Sequence, residues 1–229
     1  MNRDKHLFLD FLAGRGTVPV LFEPFLSRRH TETLIWRRGP KLWDTAGHTV
    51  STLVSQTERT RADMLLLDFR PLSVEEKRAA ARELRIAREE NPFLGFGLIG
   101  ETDEDVILGE EAADALCLYG TKTSDRLPVI RMDGTLRDAI RLGDAAWFAQ
   151  SDAEGALREA DGRIRVCGGL GIDRLSNPAE VYARIERLTA EYGAAWAVGS
   201  GGVIPEEDYL GLIAMLGAYA RVRDRAPQV

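Results

Sequence analysis

The sequence predicts an α/β protein folded as a single compact (β/α)₈ barrel of the TIM type, and three observations lead there. Eight short apolar runs recur along the chain, helical patterns alternate with them, and no composition break divides the 229 residues. Nearly unbroken apolar runs of four to six residues are how parallel strands buried on both faces look. Strands alternating with helices build βαβ units, which close into an open doubly wound sheet or a barrel. The count of eight favours the barrel. The nucleotide-binding sheet is weakened because neither a P-loop nor a GxGxxG opens a crossover.

The strand candidates are 18–23 (VPVLFE), 64–68 (MLLLD), 94–99 (LGFGLI), 115–119 (ALCLY), 127–131 (LPVIR), 145–150 (AAWFAQ), 163–167 (RIRVC) and 195–199 (AWAVG). Among the helices, 74–90 has Ser73 as N-cap and stops at Asn91-Pro92. The segment 177–192 has Asn177 as N-cap, Pro178 at the first helical position, Glu180 at the third, and Gly193 beyond its end. A last helix is predicted over 205–221, and 28–61 holds two helices broken at Gly39-Pro40. Helices between the middle strands are short, and 121–126 reads as a loop.

A hydrophobic fraction of 45%, a charged fraction of 29% and a net charge of −6 with mixed signs describe a soluble globular chain and argue against a nucleic-acid surface. No apolar run reaches the roughly 18–20 residues that span a bilayer, and from the charged segment Met1 to Asp10 no export signal is expected. Cys117 and Cys167 lie in apolar strand-like runs, so a disulfide framework is not expected and a reducing cytoplasm suits them. Cys117 reads as a small core hydrophobe.

Barrel chemistry sits at the C-terminal ends of the strands. The polar residues there are Glu23, Asp68 with Arg70, Glu101, Tyr119, Arg131 with Asp133, Gln150 with Asp152, Cys167 and Ser200. Carboxylates and arginines around one pocket suit acid–base work on an anionic substrate. Asp68 stands out as an acid at the tip of a wholly apolar strand, and Glu23 sits similarly between Phe22 and Pro24. Asp133 and Asp152 also stand where N-caps belong. The glycine-rich turns Gly168-Gly169-Leu170-Gly171 and Gly199-Ser200-Gly201-Gly202 follow the last two strands, and read either as phosphate cradles or as tight turns. Arg28-Arg29-His30 faces an anionic ligand or forms a solvated face. No HxH, HxC, HExxH or CxxC is present, so no metal site is expected.

Three stretches resemble the uroporphyrinogen decarboxylase superfamily, which includes the cobalamin-dependent methyltransferases. They are Thr17-Val18-Pro19-Val20, Arg61-Ala62-Asp63 followed by MLLLD, and the run CGGLGIDRLSNPAEVYARIERLTAEYGAAWAVGSGGVIPEED over 167–208. The resemblance puts Asp68 on the aspartate that contacts pyrrole nitrogens in the decarboxylases. It puts Arg28 near the second arginine of the family's RQAGR turn, which binds substrate carboxylates. The chain departs from the family at Gly201, where a histidine is usual, and at Phe148 and Gln150, where the methyltransferases carry a zinc-binding His-x-Cys.

The function this implies is a shortened decarboxylase-like protein acting on a tetrapyrrole or another carboxylated small molecule. Asp68 and Glu23 would be catalytic. Arg28, Arg70, Arg131, Gln150, Gly169, Ser200 and Gly201 would bind substrate. The alternatives are a zinc-less corrinoid-linked methyltransferase component and a non-catalytic barrel that binds a tetrapyrrole or an anion. No cofactor is evident, and a corrinoid or porphyrin is the ligand the resemblance implies. It also implies a homodimer, with Trp196 or the apolar face of 209–219 at the interface.

Overall fold

The computed structural model describes residues 5–13, 20–21, 50, 54, 64–70, 72–132, 135–143, 145–148, 153–169, 178–192 and 196–199. In chain order the elements are α1 (Lys5–Leu12), β1 (Val20–Leu21), β2 (Met64–Asp68), α2 (Val74–Glu90), β3 (Gly95–Gly100), α3 (Asp103–Ala112) and β4 (Ala115–Leu118). They continue with β5 (Val129–Arg131), α4 (Leu136–Leu142), β6 (Ala145–Phe148), α5 (Ala153–Ala160), β7 (Val166–Gly169), α6 (Pro178–Tyr192) and β8 (Trp196–Gly199). Every strand pair is parallel, in the order β1-β8-β7-β6-β5-β4-β3-β2. The α/β class and the parallel sheet agree with the sequence expectation.

Local chemistry explains where elements start and stop. At α2 the Ser73 hydroxyl accepts from Glu76 N–H at 3.4 Å, and the Glu76 carboxylate accepts from Ser73 N–H at 2.8 Å. This reciprocal capping box satisfies two donors that a helix start would otherwise leave orphaned. Thr102 and Asp105 form the same device at α3. The cap of α4 is Thr135, whose hydroxyl accepts from Asp138 N–H at 3.2 Å. Asp133, expected as that cap, lies two positions too early and outside the described residues.

Strands β5 and β7 also start two or more residues later than expected. Pro128 has no N–H to give a ladder, so β5 opens only at Val129, although the Pro128 carbonyl still accepts from Leu116 N–H at 3.0 Å. Arg163 does not open β7. Its guanidinium caps α5, donating to the carbonyls of Ala160 at 3.0 Å and Glu159 at 2.7 Å. The chain turns there through Asp161 and Gly162, at φ of 47° and 73°. No helix occupies 121–126, as expected, while 205–221 and Asn177 lie outside the described residues, as does all of 28–61 except buried Val50 and Val54.

The two faces of the sheet differ. Leu65, Leu67, Phe96, Leu98, Leu116, Leu118, Val129, Ala146 and Val166 share one core cluster with Ala80, Ala81, Leu84 and Ala87 of α2 and Ala112 of α3. The alternate residues Leu66, Ile99, Ala115, Cys117, Ile130 and Ala145 are just as buried, yet stand outside that cluster. Side chains alternate across a strand, so these occupy the opposite face. The register Asp68–Ile99–Cys117–Ile130–Ala145 strings four of this second set, with Asp68, into one row across β2 to β6.

Charges buried beside the sheet are paired. Asp105 is fully buried, and its Oδ1 meets Lys77 Nζ of α2 at 2.7 Å. Its Oδ2 accepts from Glu101 N–H, Thr102 N–H and the Thr102 hydroxyl at 3.0, 3.0 and 2.8 Å. Burial pushes the Asp105 carboxyl up, but Lys77 and the Glu101 and Thr102 donors outweigh it and hold it below the usual range. Asp114 accepts from Phe96 N–H at 3.0 Å and pairs with Arg88 of α2 at 3.2 Å and Lys5 of α1 at 3.6 Å. On the surface, Arg187 of α6 reaches Glu154 of α5 at 2.7 Å. Against a smaller burial effect, Arg187 and then Arg158 hold the Glu154 carboxyl down to about 2.

Gly109 permits the approach of α3 to the sheet, since a Cβ there would sit 2.2 Å from Leu116 Cδ2. Alanine would gain about 1 kcal/mol of helix propensity. Overpacking a close contact costs about 1–3 kcal/mol, so Gly109→Ala lowers the stability read by urea unfolding by about 1 kcal/mol. A rise in stability would refute the contact.

Asp105 and Glu154 bind fewer protons folded than unfolded, so their stabilisation is present at neutral pH and lost as pH falls. For Glu154 the window runs from about 4.5 down to about 2. Urea midpoints should fall across this range, and less steeply in Glu154→Gln. At neutral pH, Asp105→Asn leaves Lys77 buried without its anion and costs about 3 kcal/mol.

Candidate functional site

The strand ends bring three polar side chains into contact, with a fourth tied to the adjoining backbone. Asp68 closes β2, and the Phe69 N–H continues the ladder to the Ile99 carbonyl at 2.9 Å. Asp68 Oδ1 then accepts from the Arg70 backbone N–H at 3.2 Å and from Arg70 Nε at 2.8 Å, while Oδ2 accepts from Arg70 Nη2 at 2.6 Å. This is a two-pronged guanidinium–carboxylate pair, the strongest geometry such groups adopt. It is well shielded, with side-chain exposures of 5% for Asp68 and 17% for Arg70.

The pair is tied to β4. The guanidinium carbon of Arg70 lies 4.2 Å from the centre of the Tyr119 ring, a cation–π contact. Tyr119 N–H donates to the Gly100 carbonyl at 3.0 Å, so the residue after β4 is anchored on the end of β3. Gly120 follows at φ 72°, in the left-handed region that glycine enters without strain. Its carbonyl accepts from Arg131 Nη1 at 3.0 Å. Arg131 closes β5 and is 3% exposed.

Below this rim the floor is apolar. Ile99, Cys117 and Ile130 follow Asp68 along its row and are fully buried. Burial first, and the Asp68 charge second, push the Cys117 thiol far above its ordinary range. Cys117 is therefore a core hydrophobe and not a thiolate nucleophile.

Of the residues expected at the site, Asp68, Arg70 and Tyr119 come together, while Arg131, in register with helix-side Leu118 and Ala146, is linked to them through the Gly120 carbonyl. Gly169 ends β7 in register with Gly199 of β8. Glu101 is exposed, and its backbone N–H serves the Asp105 carboxylate. Glu23, Arg28, Gln150, Asp152, Ser200 and Gly201 lie outside the described residues. The sequence reading placed Tyr119 at a strand tip but missed its contact with Arg70, which depends on register across three strands. Gly120 carried no signal beyond its residue type.

Fold and site together define an α/β protein with a parallel sheet and an Asp–Arg–Tyr cluster at the C-terminal ends of β2 and β4, joined to Arg131 of β5 through the Gly120 carbonyl. Among the described residues, no group of three or more His, Cys, Asp and Glu side chains converges as a metal would need, and no helix is long and apolar enough to cross a membrane. Compared with protein families and with curated proteins, the chain finds no match.

The Cys117 geometry is testable in Cys167→Ser, where Cys117 is the remaining thiol. A thiol-reactive dye at pH 8 should leave the folded variant unlabelled and label it fully in 6 M guanidinium chloride, conditions chosen to favour the thiolate and then unfold the chain. Rapid labelling of the folded protein would contradict the buried row.

Proposed function

We propose that the sheet closes into a single (β/α)₈ barrel whose C-terminal mouth binds a carboxylated small molecule, a tetrapyrrole being the leading class. Two observations support closure. The strand order leaves β1 and β2, neighbours in chain order, at opposite edges, as a barrel opened between them would. The second face of the sheet is as buried as the face covered by helices, which suits a filled interior.

The observation that carries the functional reading is the Asp68–Arg70 pair at the tip of β2, linked through Tyr119 and Gly120 to Arg131. A buried carboxylate held in place can stabilise positive charge that develops on a substrate, because its dipoles need no reorganisation. Arginines nearby hold carboxylates by paired N–H donors. In a decarboxylation, the bond from a side-chain carbon to its carboxylate breaks, CO₂ leaves and a proton takes its place. Asp68 would steady the cationic intermediate, with Arg131 and Arg28 on other carboxylates of the substrate. The reading is that of a cytoplasmic carboxy-lyase resembling the uroporphyrinogen decarboxylases.

A second reading, a non-catalytic binder of the same ligand class, is favoured by one feature. Arg70 already occupies both carboxylate oxygens of Asp68. The two readings separate in one experiment. Mixing the protein with uroporphyrinogen under anaerobic conditions should release CO₂, and Asp68→Asn should slow release by about 100-fold or more while the melting transition stays cooperative. Porphyrin absorbance shifts without CO₂ release would select the binder. No shift and no CO₂ would sink the tetrapyrrole reading.

A further inference from the structure

We infer that Tyr119 is a positioning residue for the rim: its aromatic ring, not its hydroxyl, holds the Arg70 guanidinium in register with Asp68. The inference deepens the proposed site and rests on that reading only for its functional consequence.

Strand register sets Arg70 and Tyr119 side by side. Asp68 pairs with Ile99, and Ile99 with Cys117, so Asp68 and Cys117 share a row across β3. Two residues further along each strand come Arg70 and Tyr119, and residues two apart in extended chain return to the same face. Strands lie about 4.8 Å apart, so two positions separated by one strand are about 10 Å apart at the backbone. Arginine and tyrosine are long enough to meet across that gap, provided the intervening strand has left.

It has left. β3 ends at Gly100, and α3 begins at Asp103 behind the Thr102–Asp105 capping box. A Cβ on Gly100 would lie 2.4 Å from Asp105 Cβ, so glycine is what allows the chain to turn this sharply. Tyr119 N–H then takes the Gly100 carbonyl, and the ring lies under Arg70 at 4.2 Å. The following residue, Gly120, holds Arg131 through its carbonyl at 3.0 Å. The two residues Tyr119 and Gly120 thus contact both the Arg70 and the Arg131 guanidinium.

A ring face attracts a guanidinium whether or not it bears a hydroxyl. Tyr119→Phe should therefore keep Arg70 in place, and Tyr119→Leu should release it. The readout is the Arg70 Nε–H resonance in nitrogen-15 spectra of the full chain without ligand, assigned by its disappearance in Arg70→Lys. Bonded to a carboxylate, this proton should exchange slowly with solvent. In Tyr119→Leu its exchange should quicken by about 3- to 10-fold, the range a cation–π contact of this kind supports. Tyr119→Phe should leave it within about 2-fold of the parent.

Equal acceleration in both variants would overturn the inference, because the hydroxyl would then be the operative group. Unchanged exchange in Tyr119→Leu would overturn it too. Should Tyr119→Leu fail to fold, the unaltered protein decides: Arg70 Hδ protons shifted upfield by the Tyr119 ring support the contact, and unshifted ones refute it. None of these outcomes depends on CO₂ release or porphyrin binding, so failure of the functional reading would leave the positioning role standing.

Discussion

A parallel sheet buried on both faces leaves no place along its length for a polar side chain, since each unpaired polar group taken from water costs about 2–7 kcal/mol. The middle residues of β2, β3 and β4 obey this: Leu65, Leu66, Leu67, Leu98, Ile99, Leu116 and Cys117 are all fully buried and apolar. Polar chemistry is pushed to the strand ends. At one end Asp114, just before β4, gathers Phe96 N–H, Arg88 and Lys5 and so ties α1 and α2 to the start of the sheet. At the other, Asp68, Arg70, Tyr119 and Arg131 collect. The rim is concentrated because the interior excludes its members.

The buried pair of Lys77 and Asp105 serves the same end. An ion pair taken out of water recovers little net energy compared with an apolar pair of similar volume. Asp105, however, also accepts three hydrogen bonds from the turn at Glu101 and Thr102. An apolar replacement would leave those donors without their acceptor. The pair therefore fixes the angle at which β3 gives way to α3, one strand from Asp68. A structural charge sets the geometry beside a candidate functional one.

What the sequence made legible was whatever short-range chemistry decides. The α2 boundaries follow from Ser73 and Asn91-Pro92, and an acid ending MLLLD marks the tip of β2. The Asp68–Arg70 spacing also belongs here, because alternate residues share a face. The reading erred where a neighbour competes for the same group. Arg163 looked like the first residue of an apolar run, but the free carbonyls at the end of α5 claim its guanidinium. Asp133 looked like a cap, but Thr135 stands adjacent to the helix and takes the role. Contacts that need register, such as Arg70 over Tyr119, could not be read along one strand.

The intervening residue explains why the Asp68–Arg70 pair faces the rim at all. Phe69 is fully buried within the helix-side cluster, and its N–H still belongs to the ladder with Ile99. Anchoring Phe69 on one face obliges its two neighbours to turn to the other. Asp68 and Arg70 are thus displayed together by a phenylalanine that touches neither chemistry nor solvent. Replacing Phe69 with a small side chain would remove a large core contact and, with it, the constraint that orients the pair. The site and the core are coupled through that one residue, so the rim of this sheet is specified by packing as much as by charge.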